Sequence, residues 1–445
     1  MEKSSKINLH CIILAAGQGT RMKSSISKVL HKISGKPMVE ILLDLARNMH
    51  AEITVVTSQG NNQDISNLLH DGENTVIQEE RLGTAHAVLT AQKQMEESSA
   101  DKVLILYGDT PLVTNKTLQN IITQKNNVSF LAFKEENTEN KYGRLVTNGN
   151  KLLEIVEYKD ATAHQRDITL CNSGVVCVER SFLLKALQML KPSQITGEYY
   201  LTDIAKLASV HQETCGFILC EQSEVLGVNS RKELAEIDAI MQERIKIHHM
   251  QNGVTFILPH TTYIHIEVEI AQDVIIEPNC YIGANTKIDE GVVIHAMSHL
   301  ENCIVHSGVE IGPFARIRPQ TELHSGVKIG NFVEVKNSQI GKNSKANHLS
   351  YIGDTTIKEN CNIGAGTVFC NYNGFQKFRS TIEDGTFIGS NSTIISPVKI
   401  GKGSIVGAGS VITESTQENS LTIAREKQVE IINGGEKFRS KHSNK

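Results

Sequence analysis

Residues 264–300 read IHIEVEIAQDVIIEPNCYIGANTKIDEGVVIHAMSHL, and every sixth residue is aliphatic: Ile264, Ile270, Ile276, Ile282, Ile288, Ile294 and Leu300. In a chain that is 40% apolar, seven hits in seven arise by chance on the order of 10⁻³ per frame. The period returns at Val305, Ile311, Ile317, Leu323, Ile329 and Val335. It runs less regularly through Ile340, Ala346, Ile352, Ile357, Ile363 and Phe369, then recurs at Ile382, Ile388, Ile394, Ile400, Val406 and Ile412. A hexapeptide period is the sequence mark of a parallel β-helix. One aliphatic side chain per short strand points inward, and glycines such as Gly283, Gly312, Gly330 and Gly389 turn the corners. Three strands close a triangular coil of about 18 residues, so residues 252–425 hold roughly nine or ten coils.

One interval breaks the rule. Phe369 and Ile382 are 13 residues apart where two repeats need 12, and CNYNGFQKFRST between them is polar and basic. It reads as a loop thrown out of the helix wall, and loops on a regular scaffold often carry function.

Upstream, residues 231–251 read as an amphipathic connecting helix, with Ser230 as its cap and Glu233 completing a capping box. Residues 1–230 alternate strand and helix patterns. Strands are expected at 7–16, 53–57, 103–107, 128–133 and 175–178, and helices at 38–49, 84–95, 115–124 and 180–190. That alternation predicts a Rossmann-like α/β domain with a mainly parallel sheet, whose ligands bind beyond the carboxyl ends of the strands. The expected domains are therefore 1–230, a linker at 231–251, and a β-helix at 252–445. The basic, polar tail 434–445 is expected to lack order.

Composition narrows the function. The 445 residues carry a net charge of −4 with no strong basic run, which argues against nucleic acid as a partner. No apolar run reaches the ~20 residues of a membrane helix, and the first apolar run enters a glycine turn, unlike a signal peptide. The nine cysteines are scattered without zinc or redox spacing, and read as reduced thiols of a cytoplasmic protein. The absence of tryptophan suits a narrow aliphatic core.

The chemistry starts at LAAGQGTRM, Leu14 to Met22, on a strand-to-turn junction. It is neither a Walker A loop nor a complete G-x-G-x-x-G. A plain strand–helix turn would look similar, but Arg21 and Lys28 follow closely. Glycine amides and two cations on one turn suit a triphosphate. Gln78, Gly83 and Thr84 offer amide and backbone groups able to read a base. Asp109 ends the apolar run VLILYGD, where a carboxylate can hold Mg²⁺; the plainer role is a turn cap before Pro111.

LAAGQGTRM…K, RLGTAHA, LYGDTPL, YGR, IVEYKDA, CNSGVV, GEYYLTD and GVNSR occur in an order that resembles the uridylyltransferase half of the bacterial N-acetylglucosamine-1-phosphate uridylyltransferase/glucosamine-1-phosphate acetyltransferases. The hexapeptide half resembles the same family, so the likeness spans nearly the whole chain. It implies a left-handed β-helix and a homotrimer. It implies acetyl transfer from acetyl-CoA to glucosamine 1-phosphate, then uridylyl transfer from UTP to N-acetylglucosamine 1-phosphate with release of pyrophosphate. By this resemblance Leu14, Ala15, Ala16, Gly17, Gln78, Gly83 and Thr84 hold the uridine nucleotide, and Arg21 and Lys28 its phosphates. Tyr107, Gly108 and Asp109 pass from nucleotide to metal. Gly143, Glu157 and Asn172 grip the sugar, and Asn229 joins Asp109 as a Mg²⁺ ligand. Ser27 departs from the proline usual before that lysine.

In the second half the resemblance falls on NFVEVK…NHLSYIGD. It makes His348 the base for the sugar amine, a task suited to a group that titrates near neutrality. It has Glu334 orient the imidazole. Arg318 and Lys336 would clamp the sugar phosphate, with Lys377 in the protruding loop able to reach a phosphate, and Tyr351 and Asn362 would bind the sugar. Ala365, Asn371, Tyr372, Ser390, Ala408 and Arg425 would line the coenzyme A cleft. His295, His299, His306 and His324 read as hydrogen-bonded wall residues. Two other readings stay open: a single-activity sugar nucleotidyltransferase whose β-helix only assembles the oligomer, and a scaffold that has lost its chemistry.

Overall fold

The computed structural model describes residues 7–137, 139–149 and 151–443. The chain divides into two compact units, the first ending at Gln242 and the second beginning at Glu243.

The first unit is built on one nine-stranded sheet. Its strands are β1 (Leu9–Leu14), β2 (Glu52–Thr57), β3 (Asn74–Ile77), β4 (Lys102–Tyr107), β5 (Val128–Lys134), β6 (Arg144–Asn148), β7 (Lys151–Val156), β8 (Leu170–Glu179) and β9 (Cys215–Leu219). Their order across the sheet is β3-β2-β1-β4-β8-β5-β9-β7-β6. The expected parallel pairing holds in the half β3-β2-β1-β4. Beyond it β8 runs antiparallel to β4 and β5, and the sheet is mixed. Side chains on a strand alternate faces. Cys11 and Ile13 therefore enter one core with helix Met38–Asn48, while Ile12 enters the other with helices Thr84–Thr90 and Arg180–Met189. The helix expected over 84–95 is two, Thr84–Thr90 and Gln92–Glu97, with a break at Ala91.

Helix Arg231–Gln251 follows. Ser230 Oγ accepts from the Glu233 N–H at 3.3 Å, as expected of a cap. The Glu233 carboxylate takes the N–H of Asn229 at 2.7 Å, one residue ahead of the cap.

The second unit is a left-handed parallel β-helix of three stacked sheets with ten, nine and eight strands. In register, Ile276, Ile294, Ile311 and Ile329 form the inner column of the first sheet. Ile264, Ile282, Leu300 and Ile317 form that of the second. Ile288, Val305, Leu323 and Ile340 belong to the third. The sixfold period thus visits the three walls in turn, and nearly all of these side chains are fully buried.

The irregular interval is larger than its length suggested. Val368–Cys370 lies on the second sheet and Ser380–Ile382 on the third, so Phe369 and Ile382 are one step apart. Thirteen residues stand where about six suffice, and the surplus forms a loop closed by a bridge between Tyr372 and Lys377. The tail also differs from expectation: Gly434–His442 forms an exposed helix.

Candidate active sites

In the first unit a cavity of about 300 Å³ opens at the carboxyl ends of β1 and β4. Ala15 donates its N–H to Val56 O, and Gly108 donates to Leu14 O, so the two strand ends are laced together. Gly108 sits closely against its neighbours: a Cβ there would lie 3.0 Å from Leu14 O and from the Val29 side chain, so a larger residue would crowd the turn. Leu14, Ala16, Gly17, Gln78, Gly83 and Thr84 line the cavity, as do Lys28, Tyr107 and Asp109. Gly83 adopts φ +111°, and a Cβ there would strike the backbone of Tyr199 at 2.5 Å. Tyr199 donates to Leu82 O and accepts from Ala85, which fixes this turn against its neighbour. Gln78 Nε2 donates to Gly83 O at 3.3 Å, and Thr84 Oγ accepts from Leu201. Burial raises the Tyr107 phenol above its ordinary range, with a smaller push from the Glu157 carboxylate, while Thr84 opposes both.

The Lys28 ammonium contacts Asp109 Oδ2 and lies 3.2 Å from Asn229 Oδ1. A carboxylate and an amide oxygen thus converge on one cation. Val228 anchors this arrangement by donating to Asp109 O at 2.9 Å. Two hard oxygens suit Mg²⁺, which takes few protein ligands and keeps several waters.

Gly143, Glu157 and Asn172 also come together. Asn172 N donates to Gly143 O at 2.8 Å, and a Cβ on Gly143 would lie 3.5 Å from the Glu157 carboxylate. Burial raises the Glu157 pKa, opposed by the Thr202 hydroxyl that donates to it at 3.0 Å.

Arg21 is exposed on the short turn Thr20–Met22 and does not line the cavity. The guanidinium at the cavity is Arg81, whose Nε donates to Ala16 O at 3.1 Å. Asn61 was also missed. Buried, it donates through Nδ2 to Ala15 O and to Ser27 Oγ, each at 2.9 Å. Arg81 stood within the RLGTAHA motif, whereas nothing in the sequence pointed to Asn61.

In the second unit the residue two places after the inward side chain of the first sheet forms one column along a corner. On successive coils it is Asn331, His348, Ala365, Ser390 and Ala408. Arg425 lies on the next coil, its Cδ 3.9 Å from where a Cβ on Gly409 would stand. The corner is tight: a Cβ on Gly389 would meet Ala408 N at 2.4 Å. Beyond His348 the side chains of this column are small: Ala365, Ser390 and Ala408.

His348 Nδ1 lies 2.8 Å from Asn331 Oδ1, one coil earlier. The expected partner Glu334 instead accepts from Arg318 Nη1 at 2.7 Å. The physical reason is register. Glu334 belongs to the second sheet and pairs with Tyr351, whereas Asn331 pairs with His348 on the first.

Arg318, Lys336 and Lys377 form a cationic group. The Lys377 ammonium, with lesser pushes from burial and Arg318, lowers the Lys336 pKa from the usual lysine range, opposed by Asp354. Arg318 Nε is buried without a hydrogen-bond partner, as a donor awaiting an anion would be. The protruding loop is held here: Asn371 donates to buried Asp354, and Arg379 reaches Asn337 O at 2.9 Å. Tyr351 is half-buried on the second sheet and Asn362 half-buried on the first, while Tyr372 is exposed on the loop.

Comparison with known proteins covers both units. Residues 11–190 match the model of the MobA-like NTP transferase domain. Residues 302–337 and 379–414 match the bacterial transferase hexapeptide model, and 273–313 the hexapeptide repeat of succinyl-transferase. The bifunctional protein GlmU of Zymomonas mobilis is 42% identical over 443 residues, 98% of each chain. That of Paramagnetospirillum magneticum is 42% identical over 99% of this chain and 98% of its own. That of Clostridium botulinum (strain Langeland) is 39% identical over 94% and 96%. With both units matched end to end by single relatives, the chain belongs to the bifunctional GlmU family of transferases.

Proposed function

We infer that the chain makes UDP-N-acetylglucosamine in two steps: acetyl transfer to glucosamine 1-phosphate in the β-helix, then uridylyl transfer in the α/β unit. The observation that carries this is the end-to-end family match across a chain in which each unit gathers its own polar residues. The runner-up, a nucleotidyltransferase with a purely structural β-helix, gives no reason for His348 to be held by Asn331 in a column of small residues, or for the same β-helix to gather Arg318, Lys336 and Lys377.

In the first unit the turn around Gly17 and Gly83 would receive the uridine, and Gly143, Glu157 and Asn172 the sugar. A sugar 1-phosphate is largely dianionic at neutral pH, since its second pKa is ~6. Its oxygen can therefore attack the α-phosphorus of UTP without a general base, and the bond to pyrophosphate breaks. Repulsion between the two polyanions is the main barrier, and Lys28 and Arg81 offset it. Arg21, exposed, is left to meet the outer phosphates of a bound nucleotide. Asp109 and Asn229 would hold Mg²⁺, which when bound supplies further neutralising charge.

In the second unit Arg318, Lys336 and Lys377 would take the sugar phosphate and Tyr351 and Asn362 the sugar. Ala365, Asn371, Tyr372, Ser390, Ala408 and Arg425 would accept coenzyme A. His348 takes a proton from the 2-amine as its nitrogen attacks the thioester carbonyl; the carbon–sulfur bond breaks and coenzyme A leaves as the thiol. Asn331 orients the imidazole.

A homotrimer is supported by a column of exposed apolar residues at the same corner. Met297, Phe314, Phe332 and Leu349 all have positive φ and are 49%, 49%, 55% and 61% exposed. Such an arrangement costs about 1–3 kcal/mol per residue, which burial against a second copy would offset. No helix among the described residues is long and apolar enough to cross a membrane, and a cytoplasmic location fits nine free cysteines.

The deciding experiment supplies glucosamine 1-phosphate, acetyl-CoA, UTP and Mg²⁺, and follows free thiol and pyrophosphate separately. Both products, with thiol release independent of UTP, are expected. Pyrophosphate only from pre-acetylated sugar phosphate would make the β-helix a scaffold.

A further inference from the structure

The outer face of the third sheet carries a cluster that neither reaction uses. Asp289, His306 and His324 each follow an inward residue by one place, so they stack on consecutive coils. Glu322 lies on the same strand as Leu323 and projects to the same side as its outward neighbours. The imidazoles of His306 and His324 stack with centroids 5.3 Å apart and planes 11° from parallel. His306 Nδ1 is 2.9 Å from Asp289 Oδ2, and its Nε2 is 3.0 Å from Glu322 Oε1. His324 Nε2 lies 3.9 Å from that same oxygen.

A neutral imidazole has one N–H. Given to Asp289, it leaves the Nε2 lone pair of His306 facing a carboxylate oxygen, acceptor against acceptor. The contact is favourable only with a cation at that point, either a proton on the ring or a metal ion. The second imidazole argues for the metal, because its Nε2 lies 3.9 Å from the same carboxylate oxygen, and turning one ring out of the stack would aim both lone pairs at one ion. One ligand atom from each of His306, Glu322 and His324 lies within 4.8 Å of the others. A carboxylate behind a ligating imidazole fixes its tautomer and raises its basicity, and Asp289 stands in that position. Two nitrogens and one oxygen form a donor set of the zinc type with a fourth position open. Mg²⁺ and Ca²⁺ prefer oxygen alone.

We propose that Glu322 and the Nε2 atoms of His306 and His324 form a surface site for a divalent transition-metal ion of the zinc type, with Asp289 orienting His306. The site is separate from Asp109 and Asn229, which belong to the other unit.

The test is calorimetric titration of the untagged full chain with Zn²⁺ alone, in excess Mg²⁺ so that the oxygen site stays filled. One Zn²⁺ per chain is expected to bind in the wild type and to be lost in Glu322→Gln and His324→Gln. Asp289→Asn should weaken it about tenfold or more. Co²⁺ gives a second reading: a visible absorption band of a low-coordinate ion with nitrogen ligands, absent from both ligand variants. Glu322→Gln preserves shape and charge-independent packing, so it decides the matter should a histidine variant fail to fold. Zn²⁺ binding that is absent from the wild type, or unchanged in Glu322→Gln, overturns the proposal.

Discussion

The Lys28 ammonium rests on the Asp109 carboxylate, with the Asn229 amide oxygen 3.2 Å from the same nitrogen. Lysine and carboxylate come from loops 81 residues apart in sequence, and the lysine side chain is only 11% exposed. The pair ties the turn at Lys28 to the segment that follows β4, at the mouth of the cavity. Asp109→Ala removes one oxygen of the cation site and leaves Lys28 without its counter-charge. Uridylyl transfer should fall by about a hundredfold or more, while thiol release in the second unit stays at the wild-type rate. Wild-type pyrophosphate release at saturating Mg²⁺ would sink the assignment.

Ser27 stands where the family usually has proline, and the structure shows what it does instead. Its backbone has φ −54°, a value proline adopts without strain, and its Oγ accepts from Asn61. Ser27→Pro gains about 0.4–1 kcal/mol by stiffening the unfolded chain and loses one hydrogen bond of similar size, about 0.5–1.5 kcal/mol. The thermal midpoint of the first unit should hardly move, and uridylyl transfer should persist. Asn61→Ala is the contrasting case. It removes the two bonds donated by Nδ2, to Ala15 O and Ser27 Oγ, and the two that Oδ1 accepts from the N–H and hydroxyl of Ser58, and should destabilise by about 1–3 kcal/mol with a raised KM for UTP. Equal midpoints for the two variants would contradict this division of roles.

The two candidates for steering His348 make different kinetic predictions. His348→Ala should abolish acetyl transfer and leave uridylyl transfer intact. Asn331→Ala frees Nδ1 and should lower kcat about tenfold, a share of the 10²–10⁴-fold worth of a positioned base, with little change in KM. Glu334→Gln acts through Arg318 and should appear in the KM for glucosamine 1-phosphate. A kcat effect confined to Glu334→Gln would restore the carboxylate as the orienting group.

The period-six aliphatics made the β-helix legible because each residue obeys one local constraint, an inward position on a short strand. The same period, applied to polar residues, would have found Asn331, which lies 17 residues, one coil, before His348. It would also have aligned Asp289, His306 and His324. The family pattern instead suggested Glu334, which is close in sequence but on another wall. Phe369 to Ile382 misled by near-coincidence, since 13 residues resemble two steps and are one with an insertion. In the first unit, strand ends and glycines were readable from motifs. Arg81 lay inside one of those motifs without its role being readable, and Asn61 lay in none, because their work is done through backbone carbonyls 65 and 46 residues away.

With the phosphate clamp proposed above, Lys336 should set the alkaline pH dependence of the second unit. Its pKa is lowered chiefly by the Lys377 ammonium, so it loses its charge at a lower pH than an ordinary lysine. Phosphate binding, as proposed above, needs that charge. The KM for glucosamine 1-phosphate should therefore rise on the alkaline side, earlier than lysine chemistry would suggest. Lys377→Gln removes the like charge, and Lys336 then keeps its proton to higher pH. At neutral pH the variant should bind the sugar phosphate about tenfold more weakly, the worth of one hydrogen bond to a charged group. Its alkaline limb should nevertheless move to higher pH. The two effects have opposite signs, so a simple loss of charge from the surface cannot produce both. KM profiles of wild type and variant between neutral and alkaline pH measure them together, and a limb that stays in place would mean that Lys377 does not act on Lys336.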